Sequence, residues 1–128
     1  MRTTIQTKLE ELNDNPYYHI EIGKVISDDI IVENTTYFGY EISENYMNSD
    51  MDRNYTKRVN IIGYVTRLVN PIENTQDIVD TATDNIIDKL KELNFKCSSR
   101  DITLTDDVVK TQITGYTEYN EINNKFIV

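Results

Sequence analysis

Nucleophilic catalysis needs a base near its nucleophile, and the side chain that titrates near neutrality is imidazole. This chain has one histidine, His19, and one cysteine, Cys97. His19 alternates with apolar residues in Tyr18-His19-Ile20-Glu21-Ile22, which puts it on the outward side of a strand, away from any nucleophile the pattern identifies. Cys97 follows Phe95-Lys96 beside a buried ring position and reads as a small, inert hydrophobe. One His and one Cys make neither a Cys/His zinc set nor an internal disulfide. No glycine-rich phosphate loop occurs. Acids are plentiful, but nothing isolates one pair in an apolar setting that would split their pKa values. The expectation is a protein that is not an enzyme and that uses no cofactor and no metal.

The acids do form one pattern. Asp77, Asp80, Asp84 and Asp88 recur at spacings of three and four, which lines them along one face of a helix. An exposed face is the plain reading; a face turned to a lumen or an interface is the sharper one. A calcium site is disfavoured, because such sites take convergent oxygens from a bent loop. Asp50-Met51-Asp52-Arg53-Asn54 begins like a calcium loop, but Tyr55 stands where the turn needs Gly and Ile61 where the bidentate Glu should be. The same stretch has another use. Met47 and Met51, with Arg53 and Tyr55, place flexible apolar and aromatic groups on a polar loop, which suits docking onto a partner.

The elements that must carry these residues follow from periodicity. Ile5, Leu9 and Leu12 make an apolar stripe on a short N-terminal helix, with Thr3 and Gln6 at capping-box spacing. From Tyr17 the period changes to two, with Tyr18, Ile20 and Ile22 on one side of a strand. Ser27-Asp28-Asp29 reads as a turn before the short apolar piece Ile30-Ile31-Val32. Phe38, Tyr40 and Ile42 then alternate with Glu41 and Ser43. Residues 45–54 read as a long exposed hairpin loop. Lys57 to Leu68 is the next strand, with Val59, Ile61 and Val65 on one face and Ile62 and Tyr64 on the other. Apolar groups on both faces imply an inner strand covered on both sides.

Asn70-Pro71 closes that segment, and the main helix runs from Asn74 to Leu93. Its buried stripe is Ile78, Ala82, Ile86, Leu90 and Leu93, widened by Val79 and Ile87. Asn74 or Thr75 caps its start, and Asn94 stands as a left-handed stop. Phe95 to Leu104 and Val108 to Tyr119 form a final hairpin turning at Thr105-Asp106-Asp107. The fold expected is α+β, a mainly antiparallel sheet with one long and one short helix packed on it, in the order α-β-β-β-α-β-β with one extra short strand allowed. One weak internal echo runs through it: Asn60-Ile61-Ile62-Gly63-Tyr64-Val65-Thr66 resembles Gln112-Ile113-Thr114-Gly115-Tyr116-Thr117-Glu118. Two similarly bent strands explain it, with a duplicated binding element as the alternative.

A chain of 128 residues suits one domain with one core, so residues 1–128 are read as a single unit. The formal charge is −9, and the bases are scattered singly or in the pair Lys57-Arg58. A grip on nucleic acid needs gathered Lys and Arg, so specific nucleic-acid binding is not expected. No run of about 18 apolar residues exists, so no membrane span is expected, and the N-terminus lacks the apolar stretch of a signal peptide. Asn34-Thr35-Thr36 and Asn54-Tyr55-Thr56 match the glycosylation sequon, which has no use without secretion. These features point to a protein kept in a cytosol or in something assembled there.

The layout resembles that of the tail-terminator (tail-completion) proteins of long-tailed bacteriophages and phage-tail-like particles. The resemblance covers nearly the whole chain and rests on element order and on Thr36-Tyr37-Phe38-Gly39-Tyr40-Glu41, Arg58-Val59-Asn60-Ile61-Ile62-Gly63-Tyr64-Val65 and Gln112-Ile113-Thr114-Gly115-Tyr116, together with the Asn-, Ile- and Lys-rich composition of low-GC hosts. It assigns no individual functional residue. It implies a six-membered ring of identical chains that caps the tail tube and offers a docking face to the neck or head, with DNA passing through. It also implies a bacterial host cytoplasm during assembly and a virion or tail-like particle thereafter. The partners implied are copies of the chain, tail-tube proteins, and neck or head proteins. The competing expectations are another head–tail joining component and a small cytosolic binding module.

Overall fold

The computed structural model describes residues 1–14, 20–24, 34–46, 56–104, 107–120 and 125–127. Helix α1 spans Arg2–Glu10 and runs into a 3₁₀ turn, Glu11–Asp14. Strands β1 (Ile20–Lys24), β2 (Thr36–Tyr46) and β3 (Thr56–Leu68) follow. Helix α2 spans Thr75–Lys91, and β4 (Lys96–Leu104), β5 (Val108–Asn120) and the short β6 (Lys125–Ile127) complete the chain. The α+β class and the element order are as the periodicity implies, with β6 added beyond them, while the short piece Ile30-Ile31-Val32 lies outside the described residues. The sheet order is β1-β2-β3-β5-β4, with β6 also on β5. Every pairing is antiparallel except β1 with β2, which is parallel. No helix among the described residues is long and apolar enough to cross a membrane.

The core lies between one face of the sheet and the helices. Phe38 from β2, Val59, Ile61 and Val65 from β3, Val109 and Ile113 from β5, and Phe95 ahead of β4 meet Val79, Ala82, Ile86 and Leu90 of α2. Ile5 and Leu9 of α1 are fully buried, and α1 packs on α2 and on β1. Three apolar anchors cannot hold a helix of that length in water, so this docking is what keeps α1 helical.

Local chemistry fixes the ends of α2. The Asn74 side chain accepts a hydrogen bond from the Asp77 backbone N–H at its start. Asn94 sits at φ 66° beyond its end, while Phe95 N–H donates to the Leu90 carbonyl, 3.1 Å away. The buried stripe is turned slightly from the expected one: Val79 and Thr83 are buried, whereas Ile78 is only half-buried. A threonine can occupy a core position because its hydroxyl donates back to the carbonyl one turn earlier. Here Thr83 Oγ1 lies 2.8 Å from the Val79 oxygen, leaving the methyl to pack. At the start of α1 the capping box does not form, since the helix already begins at Arg2 and Met1 is its cap residue, without a side-chain bond.

The covering of β3 also differs from the expectation. It is an inner strand by hydrogen bonding, between β2 and β5, but its core residues Val59, Ile61 and Val65 all come from the odd-numbered side. Ile62, on the other side, remains 37% exposed. Apolar residues on both faces do not therefore mean two covering layers; among the described residues they leave one sheet face partly apolar and open.

Candidate functional surface

The ladder registers define the open face. Direct partners share a side, so Glu41, Ile62, Thr114 and Ser98 form one row across β2, β3, β5 and β4. Ser43, Asn60, Tyr116 and Lys96 form the next row; Gly39, Tyr64, Gln112 and Arg100 form the row on the other side of the first. Beyond these rows lie Arg58 opposite Glu118 and Thr66 opposite Lys110. Five bases, Arg58, Lys96, Arg100, Lys110 and Lys125, thus share the side with three acids, Glu21, Glu41 and Glu118, in a chain whose formal charge is −9. Bases scattered in sequence are gathered by the strands.

The patch has internal order. The sequence echo of Asn60–Thr66 with Gln112–Glu118 reaches two residues further toward the N-terminus: Arg58-Val59-Asn60-Ile61-Ile62-Gly63-Tyr64 aligns with Lys110-Thr111-Gln112-Ile113-Thr114-Gly115-Tyr116. These two segments are hydrogen-bonded to each other, antiparallel and in register, with Ile62 opposite Thr114 at the centre. A local twofold axis therefore passes through that pair and exchanges the two segments. Each cation reaches across to the other segment's tyrosine. Arg58 Cζ is 4.1 Å from the Tyr116 ring centroid, and Lys110 Nζ is 5.0 Å from that of Tyr64. Stacking a cation on an aromatic face is attractive and keeps its charge at the surface. Lys96 adds a second cation, 5.7 Å from the Tyr116 centroid, and Gln112 Nε2 donates to the Tyr64 hydroxyl at 3.2 Å.

On the core side of the same axis, Ile61 faces Gly115 and Gly63 faces Ile113. The glycines are bare for steric reasons. A Cβ at Gly63 would stand 2.6 Å from Phe38 Cε1, and one at Gly115 would stand 2.7 Å from Cys97 Sγ. Cys97 itself is half-buried, and burial pushes its thiol up to about 11. At that value it is protonated and a poor nucleophile near neutrality. A shallow depression on the open face, lined by Asn60, Ile62, Lys96, Ser98, Thr114 and Tyr116 among others, sits over the axis. Another hollow, beside Asn34, Leu68, Val69, Asn70 and Pro71, flanks a structural clamp. There Arg67, a residue only 9% exposed, forks its guanidinium onto Glu73 at 2.9 and 3.1 Å and donates to Thr36 Oγ1 at 2.9 Å. Those hydrogen bonds hold the Glu73 carboxyl below the usual carboxylate range.

The residues singled out from sequence fall on different parts of the molecule. Asp77, Asp80, Asp84 and Asp88 are all exposed, on the side of α2 turned away from the core. Asp77 takes a hydrogen bond from the Asn74 side chain and Asp80 one from Gln76. Asp84 and Asp88 form no ion pair among the described residues. Met47, Met51, Arg53 and Tyr55 lie outside the described residues, as do His19, the turn at Ser27-Asp28-Asp29 and most of the 45–54 loop. No group of three or more His, Cys, Asp or Glu side chains among the described residues could hold a metal ion. Sequence reasoning missed the paired tyrosines and their cations. The signal was present in the extended echo, where Arg58 and Lys110 occupy equivalent positions two residues ahead of Asn60 and Gln112.

A comparison with protein-family models finds no match, and a comparison with curated proteins finds none either.

Proposed function

We propose that the chain is a structural assembly subunit, a tail terminator whose copies close into a six-membered ring. That ring caps a phage or phage-tail-like tube and joins it to the neck or head. The observation that supports this reading best is the open sheet face. It is broad and shallow, it exposes Ile62 and Tyr116 by 37% and 38%, and it carries cations stacked on tyrosines. Such a surface suits a protein partner better than a small molecule, which prefers a concave site that buries most of its area. Tyrosine and arginine are also the residues most enriched where protein interfaces hold their binding energy. The elements match those of the resemblance: a short docked helix, a mainly antiparallel sheet and one long helix. Assembly would take place in the bacterial host cytoplasm, and the ring would remain in the finished particle.

Native mass spectrometry and light scattering over a concentration series test this. A ring of six, together with arrested growth of a purified tail tube when the ring is added, is the expected result. A protein that stays monomeric at every concentration and does not touch the tube would instead be a small binding module.

A further inference from the structure

We propose that the open face of the sheet receives the acidic side of α2 from a second copy of the same chain. This rests on the assembly reading above and names its contact.

The two surfaces complement each other in charge. The sheet face carries Arg58, Lys96, Arg100, Lys110 and Lys125 against Glu21, Glu41 and Glu118, while the outer side of α2 carries Asp77, Asp80, Asp84 and Asp88, with Lys91 at its end. Each collects the charge the other lacks, within one acidic chain. Among the described residues neither Arg58, Lys96 nor Arg100 forms an ion pair. Asp84 and Asp88 are likewise without one, so each side brings charge its own subunit does not neutralise.

They also agree in length. Arg58 reaches over the row of Tyr116, and Lys110 over the row of Tyr64. Those rows are four residues apart on β5, about 14 Å at the rise of an antiparallel strand. Asp77 and Asp88 are eleven residues apart on α2, about 16 Å at the helical rise. A helix laid along the strands would put acidic residues near both cation–tyrosine pairs at once, with Thr81 and Asp84 between them over the shallow depression at Ile62 and Thr114.

Placement makes the contact repeat. The acidic side of α2 points away from the sheet, and the basic face is on the sheet's opposite side. One subunit therefore cannot satisfy itself, and two copies cannot satisfy both pairs of surfaces through a single contact. Such head-to-tail contacts propagate from copy to copy and form a ring when the rotation closes. A free polyanion could meet the same cations, but the surrounding net charge of −9 opposes its approach.

Two charge-reversed variants and their mixture test the contact. One is Arg58→Glu with Lys96→Glu; the other is Asp80→Lys with Asp84→Lys. All four positions are exposed, and circular dichroism with a thermal melt confirms that each variant folds. Each alone should lose self-association by roughly a hundredfold, because like charges then face each other across the contact. Mixed in equal amounts, they should assemble again, since each basic surface now finds an acidic one on the other variant. If the wild type assembles and both variants assemble equally well alone, this contact is wrong while the assembly reading stands. If the wild type is monomeric throughout, the assembly reading itself fails. If the wild type instead retains a single-stranded oligonucleotide at low salt, and Arg58→Glu with Lys96→Glu abolishes this, the face serves a polyanion and the proposal is overturned.

Discussion

The ring of Phe38 lies against the bare Cα of Gly63 on the neighbouring strand, so closely that a Cβ there would stand 2.6 Å from Phe38 Cε1 and 2.8 Å from the Gly39 carbonyl oxygen. Phe38 stacks on Tyr40 at 5.4 Å between centroids, and Tyr40 is the direct partner of Gly63. An aromatic ring covering a strand glycine recovers the packing that the missing side chain would have supplied. Gly63→Ala should therefore destabilise the fold by about 1–3 kcal/mol through overpacking against backbone that cannot retreat. Urea titration of the variant measures it.

Gly115→Ala should cost less, because its nearest obstacle is the sulfur of Cys97 and its nearest backbone atom, the Lys96 oxygen, is 3.1 Å away. Adding Cys97→Ala to Gly115→Ala should recover part of the loss. A double-mutant cycle reads that coupling directly, and strict additivity would contradict the geometry.

Ile86 is fully buried midway along α2, and Asp84 is exposed two residues before it. Ile86→Ala should cost about 2–5 kcal/mol from lost burial and a residual cavity. Asp84→Asn should stay within about 0.5 kcal/mol for the isolated subunit. Equal effects in thermal or chemical unfolding would show the helix to be rotated.

The clamp between Arg67 and Glu73 makes stability sensitive to acid. The Glu73 carboxyl is held below its ordinary value of 4.5 by hydrogen bonds from Arg67. A group with a lowered native pKa contributes stability that is complete above the ordinary value and is lost as pH falls through the native one. Glu73→Gln should destabilise the protein by about 1–2 kcal/mol at neutral pH, since the charged acceptor of a nearly buried guanidinium is gone. Below pH 4.5 the difference between wild type and variant should shrink. Melts at pH 7 and at decreasing acid pH compare the two.

Cys97 should label slowly. With the thiol pushed to about 11 from an ordinary 9.0, the native protein holds ~100-fold less thiolate at mildly alkaline pH than an ordinary thiol would. Reaction with iodoacetamide at pH 8 should accelerate by at least about tenfold on unfolding in urea.

The elements with a clean period were legible before any coordinates. Phe38, Tyr40 and Ile42 of β2, the body of α2 and the left-handed Asn94 all express local rules that few tertiary contacts can override. The parallel pairing of β1 with β2 was not legible, because nothing local distinguishes a strand's direction from that of a later neighbour. Thr83 was overlooked as a core residue because its polarity conceals a hydroxyl already bonded to Val79. The open face was misjudged for a different reason. Ile62 and Tyr64 look like buried residues, and only the three-dimensional arrangement shows Ile62 exposed and Tyr64 partly so. Arg58 and Lys110, 52 positions apart in sequence (58 to 110), are set on one face, each over the other segment's tyrosine, only through the register of β3 with β5.

That register also governs how the chain can reach its fold during synthesis. β3 ends at Leu68 and its long antiparallel partner begins at Val108, with α2 and β4 made in between. A ribosome therefore releases β1, β2 and β3 well before the strand that completes the middle of the sheet. Through that interval β3 is an edge with unpaired backbone groups, and until α2 is made Val59, Ile61 and Val65 also lack the helix that will cover them. Ladders closed by such distant segments form slowly, and a waiting apolar edge can pair with the wrong neighbour. A nascent chain stalled before β5 should thus bind chaperones and aggregate on release, whereas one stalled after Asn120 has emerged should already be protected.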